Sequence, residues 1–327
     1  MAVGAYVVVD SGGHPMAEGR PRSIYAVAAG AIFATAAAVL WSRINPESQP
    51  QFIDLNAAPA AARPTAEGAV RFAVTLVWAP ERTFDTRYDL ARYVAHEISR
   101  PLRVVQRRTY SEINELLRHG SVDAAIICTG AYLQATHDGI ALDVIAVPVR
   151  SDGPFSRSVF VVRADSSLHA IADLRGHTFG LTDPLSLTGN YYPLSLVYDS
   201  GGEPRTFFTR TMYTYSDYGS LRAVLDGIVD AAAVDSLAYD FDGPRQDLRE
   251  IHRSPPLGIS PVVVPHLGDA RLASLLGNAL LTLHTKPEGR EILAALHVQR
   301  FEAPPSGMYE SAARVVDIAL RRGDAGP

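Results

Sequence analysis

One hexapeptide pattern occurs twice, as Gly120-Ser-Val-Asp-Ala-Ala125 and as Gly227-Ile-Val-Asp-Ala-Ala232. Each copy follows an apolar stretch with helical spacing and opens a run of small apolar residues. Glycine ends a helix because left-handed backbone costs it nothing, and the apolar run beyond the aspartate reads as a strand buried on both faces. The stretches 113–127 and 221–234 therefore repeat helix, turn and buried strand. Two similar α/β lobes in tandem follow. Asp123 and Asp230 read as structural turn residues.

Taken in order, the pattern predicts a strand over 72–78, an amphipathic helix over 86–99, a strand over 102–107, a helix over 110–118, a strand over 122–128 and a short helix over 130–136. Extended runs at 141–149 and 159–163 flank a Gly/Pro/Ser turn and mark the crossing into the second lobe. After Ser236 the chain is expected back in the first lobe, through strands 250–253 and 261–264 and helices 269–283, 287–296 and 307–321. Lobe 1 is thus 71–150 with 237–327, and lobe 2 is 151–236. The expected architecture is α/β, with mainly parallel, doubly wound sheets and a ligand cleft at the carboxyl ends of their strands. The loops after 74–78, 127–128, 181–183, 207–209 and 234–235 would open into it.

The 327 residues can bury a sizeable core, and a net charge of −5 without any long basic block argues against a nucleic-acid partner. Residues 24–41 form an uncharged, Ala-rich run preceded by Arg20 and Arg22. That run reads either as an uncleaved inner-membrane anchor ending at Trp41 or as an export signal cut near Ala34-Thr35-Ala36. The start is Met1 or Met16. Under both readings residues 1–44 are the cytoplasmic stub plus this segment, 45–70 a Pro/Ala/Gln-rich linker, and the rest is periplasmic. The single cysteine, Cys128, rules out an intrachain disulfide.

Four places carry chemistry. The turn of residues 178–193 joins a strand to a helix start through Ser186, Thr188 and Gly189, which suits a small oxyanion or an ordinary N-cap. Cys128 ends a strand before Thr129-Gly130-Ala131-Tyr132, and is either an inert buried thiol or one activated by the helix dipole. Asp235 ends the matching strand of the second lobe, where a carboxylate must meet a donor or the cleft. Tyr215-Ser216-Asp217-Tyr218-Gly219 reads as a polar turn before a helix, with N-capping as its plain role. No Walker loop, dinucleotide fingerprint, nucleophile elbow or His-Glu-x-x-His is present, and the ten histidines are scattered, so neither a cofactor nor a metal is expected.

Several motifs in fixed order then give a resemblance. They are Ala172-Asp-Leu-Arg-Gly176, Asp183-Pro-x-Ser-x-Thr-Gly189, Val229-Asp-Ala-Ala-Ala-Val-Asp-Ser236, Ser254-Pro-Pro256 and Pro287-Glu-Gly-Arg290. With them, residues 71–308 resemble the phosphate/phosphonate-binding periplasmic protein family, which has the type 2 periplasmic-binding fold: two α/β lobes around a ligand cleft. The resemblance implies a small-oxyanion receptor of an ABC permease and not an enzyme, with Ser186 and Thr188 holding the ligand's oxygens. Leu187 removes one hydroxyl, Ile127 and Cys128 replace an aromatic and a glycine, Asp217 replaces a histidine, and Leu237 and Ser260 stand where carboxylates hold an ammonium. These departures make a poor cage for a dianion. They resemble the family's arsenite-binding branch, whose members signal to a membrane sensor kinase controlling arsenite oxidase. The expected ligand-binding set is Cys128, Thr129, Gly130, Tyr132, Ser186, Thr188, Gly189, Asp217 and Asp235, with Cys128 as the arsenite ligand. A phosphate, phosphite or phosphonate importer receptor is the alternative, and a Cys-nucleophile enzyme the alternative of another class.

Overall fold

The repeated aspartates do the same work in both lobes. In a computed structural model, which describes residues 68–75, 83–242 and 245–321, Asp123 Oδ2 accepts the amide of Arg71 at 2.7 Å and Asp230 Oδ2 that of Thr178 at 2.8 Å. Both bonds join residues 52 apart. Each pins the strand that begins near Val70 or Thr178 to the turn that opens the neighbouring strand at Ala124 or Ala231. The preceding Gly120 and Gly227 have φ of +58° and +68°, the left-handed conformation that ends the helices before them.

The first half of the chain runs through β1 (Val70–Thr75), α1 (Thr83–Glu97), β2 (Leu102–Arg107), α2 (Tyr110–Arg118), β3 (Ala124–Ile126), α3 (Thr129–His137) and β4 (Leu142–Val149). Then come β5 (Phe155–Ser156), β6 (Ser158–Arg163), β7 (Thr178–Leu181), α4 (Tyr192–Asp199), α5 (Pro204–Phe207), β8 (Arg210–Tyr213), α6 (Asp217–Leu225) and β9 (Ala231–Asp235). It closes with β10 (Leu248–Arg253), β11 (Leu257–Gly258), β12 (Val262–Pro265), α7 (Ala270–Leu281), α8 (Pro287–Ala295), β13 (Arg300–Glu302) and α9 (Glu310–Arg321).

The first sheet has the order β2-β1-β3-β12-β4-β13 and the second β8-β7-β9-β6-β10. In register, Phe72 faces Ala124 across β1/β3 and Phe179 faces Ala231 across β7/β9, so a large side chain meets the first alanine of the repeated motif in each lobe. The sheets are mixed and not mainly parallel: β12 runs antiparallel to β3 and β4, β13 to β4, and β6 to β9 and β10. Strands that cross between the lobes enter their sheet from the far side, and this reverses their direction. The crossings are tied together by the two-stranded ladder of β5 and β11.

Three further expectations are corrected. The run at 250–253 does not return to lobe 1, because β10 pairs along β6 at the edge of the second sheet; the first lobe regains the chain only from β12. Residues 207–209 precede a strand and do not end one, since Pro204 starts a helical turn before β8. The strand at 122–128 is shorter, because Cys128 has already turned to the N-cap position of α3 (φ −63°, ψ 146°).

One buried cluster runs through both lobes, including Ala73, Ile113 and Ile127 of the first with Phe160, Phe179 and Leu187 of the second, and α9 packs on α3 and α4 across them. No helix among the described residues is long and apolar enough to cross a membrane. The run at 24–41, the expected linker of 45–70 up to residue 67, and residues 76–82, which include the end of the strand expected over 72–78, lie outside the described residues.

Candidate functional site

The turn after β7 lies directly against the start of α3, and glycine makes the approach possible. A Cβ on Gly130 would overlap the Leu185 carbonyl oxygen and come within 2.8 Å of Leu187 N. The Leu187 amide donates to Cys128 Sγ at 3.3 Å. Beside it, Asp183 receives the Tyr110 amide at the head of α2 at 3.3 Å and the Leu185 amide at 2.8 Å. Tyr191 Oη donates to Gln134 Oε1 at 2.8 Å. Three hydrogen bonds thus cross between the lobes at one place.

Ser186, Thr188 and Gly189 are in that turn, but their local roles are the plain ones. Ser186 Oγ caps the π-helical turn Leu187–Tyr191 by accepting the Gly189 amide at 3.0 Å, and the Thr188 carbonyl accepts Ser158 Oγ at 2.6 Å. A Cβ on Gly189 would overlap Thr182 Oγ1. Thr129 spends its hydroxyl on the Gly258 carbonyl at 2.9 Å, and the Tyr132 ring packs 5.2 Å from that of Tyr309. The structure does not bring Thr129 or Tyr132 into the polar cluster described next.

That cluster joins the ends of β9, α6 and α1. Asp217, the first residue of α6, accepts the Asp235 amide at 2.9 Å and is 3% exposed. Asp235 accepts from Ser156 Oγ and from the Leu237 amide. Burial pushes the Asp217 carboxyl up to about 8, with the charge of Asp235 adding to it, and burial raises Asp235 as well. Two arginines supply counter-charge: Arg87 of α1, whose own pKa burial lowers and on which the charges of Asp217 and Asp235 act, and the buried Arg150, whose charge acts on Asp235. Asp183, buried at the head of α2, is raised to about 6.

Cys128 is 8% exposed, and burial drives its thiol up to about 12 although the Leu187 and Gly130 amides pull the other way. The pull of these amides loses to desolvation. Burial thus favours the neutral thiol over the thiolate.

A cavity of about 80 Å³ opens beside this cluster. Its lining mixes polar residues, Arg87, Tyr110, Arg150, Ser156 and Asp235, with apolar ones such as Leu90, Ile126, Pro148, Leu296 and Phe301. Leu237 and Ser260 line it too. A larger cavity of about 620 Å³ adjoins Arg71, Asp123 and Leu267 at the other end of the first sheet. None of the expected site residues reaches it, and Arg71 and Asp123 neutralise each other at 2.7 Å. Among the described residues no group of three or more His, Cys, Asp or Glu side chains could hold a metal ion.

Sequence reasoning missed Arg87, Tyr110, Ser156 and Asp183 as site residues. For Tyr110 a signal existed: Thr109 and Glu112 form a capping box, which puts the start of α2 just beyond the carboxyl end of β2, where such sheets bind ligands. Arg87 gave none, being one cation among several on an amphipathic helix.

Two α/β lobes that meet over a buried polar cluster define a periplasmic binding protein of the type 2 fold. Residues 72–309 match the family described as ABC transporter, phosphonate, periplasmic substrate-binding protein, and the chain belongs to that family of substrate receptors. Among solved structures it is similar to a binding protein component of an ABC phosphonate transporter from Pseudomonas aeruginosa, at 19% identity over 78% of this chain and 87% of the other, with a TM-score of 0.70. It is likewise similar to PhnD1 from Prochlorococcus marinus in complex with methylphosphonate, at 16% identity over 79% of this chain and 99% of the other, TM-score 0.69. A chloride-bound protein from Xanthomonas citri matches at 19% identity over 79% of this chain and 100% of the other, TM-score 0.67. No curated protein sequence matches the chain significantly.

Proposed function

We propose that this receptor binds arsenite through Cys128. The observation that carries the reading is the hydrogen bond from the Leu187 amide to Cys128 Sγ: an amide that the family's turn would offer to an oxyanion is given to the protein's own sulfur. A dianion at that place would also meet Asp183, Asp217 and Asp235, buried carboxyls whose ionisation an added negative charge would oppose further. Arsenite carries no charge at neutral pH and prefers soft sulfur. Its hydroxyls can donate to Asp235 and accept from a protonated Asp217. The binding step is a condensation: the As–S bond forms, one As–O bond breaks, and the thiol proton leaves with the hydroxide as water. Overall no charge is made or lost, since the thiol gives up its proton to the departing hydroxide as sulfur bonds to arsenic.

With residues 24–41 as an inner-membrane anchor, a tethered receptor would report its ligand to a membrane sensor kinase. One observation favours the second reading, a phosphate, phosphite or phosphonate receptor delivering to an ABC permease: the buried guanidinium of Arg87 would attract an anion. Calorimetric titration of the full chain and of Cys128→Ser with arsenite, phosphate, phosphite and methylphosphonate separates the two. Arsenite binding lost in the variant supports the sulfur reading. Methylphosphonate binding that survives the substitution, with no arsenite binding in either protein, overturns it.

A further inference from the structure

The cavity of about 80 Å³ is lined by Arg150, a cation only 7% exposed. Among the described residues its guanidinium donates no hydrogen bond, and its one ion pair is long: Asp152 Oδ1 stands 3.6 Å from Nε, on a half-exposed carboxylate. The guanidinium carbon lies 5.9 Å from the centroid of the Phe241 ring, which supplies no strong acceptor. Among the described residues, the side-chain polar atoms sealed from solvent without a partner are Thr75 Oγ1 and Asn114 Oδ1, so the Arg150 nitrogens open on accessible space. A guanidinium carries five N–H donors, and donors in a desolvated place cost free energy unless an acceptor meets them.

The rest of the lining narrows the acceptor. Arg87 adds a second positive charge, with one nitrogen on the Thr75 carbonyl at 3.3 Å. Asp235 has one oxygen on Ser156 and the other on the Leu237 amide, so a doubly charged ligand would set its second charge against this carboxyl. Leu90, Ile126, Leu296 and Phe301 offer no donors, and Leu237 and Ser260 supply no carboxylate for a ligand's ammonium. At roughly 10–15 Å³ per water by the same kind of measure, the space holds about five to eight atoms of that size. We propose that this cavity binds a short-chain organic monocarboxylate of propionate size, with its carboxylate on the Arg150 guanidinium and its chain among the apolar residues. Guanidinium and carboxylate match through two parallel N–H···O bonds, a pairing that a neutral amide in the ligand cannot reproduce. The site needs no bond to Cys128 and is independent of the arsenic reading.

The test is a titration of the Tm of the full chain with sodium propionate, with propionamide as the uncharged isostere and sodium chloride holding the ionic strength constant. The expected result is a saturable rise in Tm with propionate, and apparent affinity for propionamide weaker by about tenfold or more. Arg150→Met should weaken propionate by about tenfold or more, with circular dichroism confirming the fold. Should that variant not fold, Ser260→Leu, which fills the cavity from a half-buried position, should abolish the rise. Should neither fold, the wild-type comparison of propionate with propionamide decides alone. An equal response to the two compounds, no saturable rise, or unchanged affinity in a folded Arg150→Met overturns the proposal. So does an Arg150-dependent response to methylphosphonate with none to propionate.

Discussion

Asp217→Asn is the sharpest probe of the buried polar cluster. The Asp217 carboxyl is raised to about 8 in the folded protein, against about 3.9 for an aspartate in an unfolded chain. Between these values the folded state keeps a proton that the unfolded state has lost. A raised carboxyl of this kind favours the folded state most below pH about 4, and the advantage drains away as pH rises through about 8. The slope is about 1.4 kcal/mol per pH unit, so from pH 5 to 7.5 wild type loses about 3 kcal/mol through this group. At roughly 2–4 °C per kcal/mol, that is on the order of ten degrees in Tm. Asparagine keeps the acceptor for the Asp235 amide and titrates nowhere in this range. Melting curves of both proteins across pH 5–7.5 should therefore show Tm of the variant minus Tm of wild type growing steadily with pH; histidine titrations cancel in the difference. A difference that stays flat would mean that Asp217 is ionised at neutral pH, paired with Arg87, and the reasoning about the cluster would fail.

Other outcomes follow from the same contacts. Arg87→Met should cost more stability at pH 8 than at pH 5 in urea unfolding, since it removes a counter-charge just where Asp217 ionises; an equal cost at both would refute this. Gly130→Ala should destabilise by about 1–3 kcal/mol in a thermal melt, because the new methyl runs into Leu185 and Leu187, and an unchanged Tm would show that the lobes yield freely. Tyr191→Phe should cost about 1 kcal/mol by losing the bond to Gln134 across the lobes, with no loss expected if that bond is made only part of the time.

Much of the fold was legible because it is written locally. The elements at 102–107 and 110–118 have their expected bounds, and Gly120/Asp123 and Gly227/Asp230 act in the two lobes as their repetition implied. What periodicity does not carry is which sheet a strand joins. The sequence of β10 is the same whether it lies beside β6 or returns to the first lobe, and three-residue β13 is too short to show a period. The site divides similarly. Cys128 at a helix start was readable, as was Ser186 as a cap, because both follow from neighbours in the chain. The state of the thiol was not: the Leu187 amide that reaches it lies 59 residues away, and the burial that outweighs that amide arises only when the two lobes pack together. Arg87 became visible for the same reason, only once α1 was placed against Asp217 and Asp235.

The central claim is a bond between arsenic and Cys128, and X-ray absorption at the arsenic edge of the arsenite-loaded full chain tests it most directly. The account predicts a trivalent arsenic with one sulfur in its first coordination shell, and no such sulfur once Cys128 is serine. A wild-type spectrum with oxygen neighbours only, at a concentration where the ligand is bound, would contradict it.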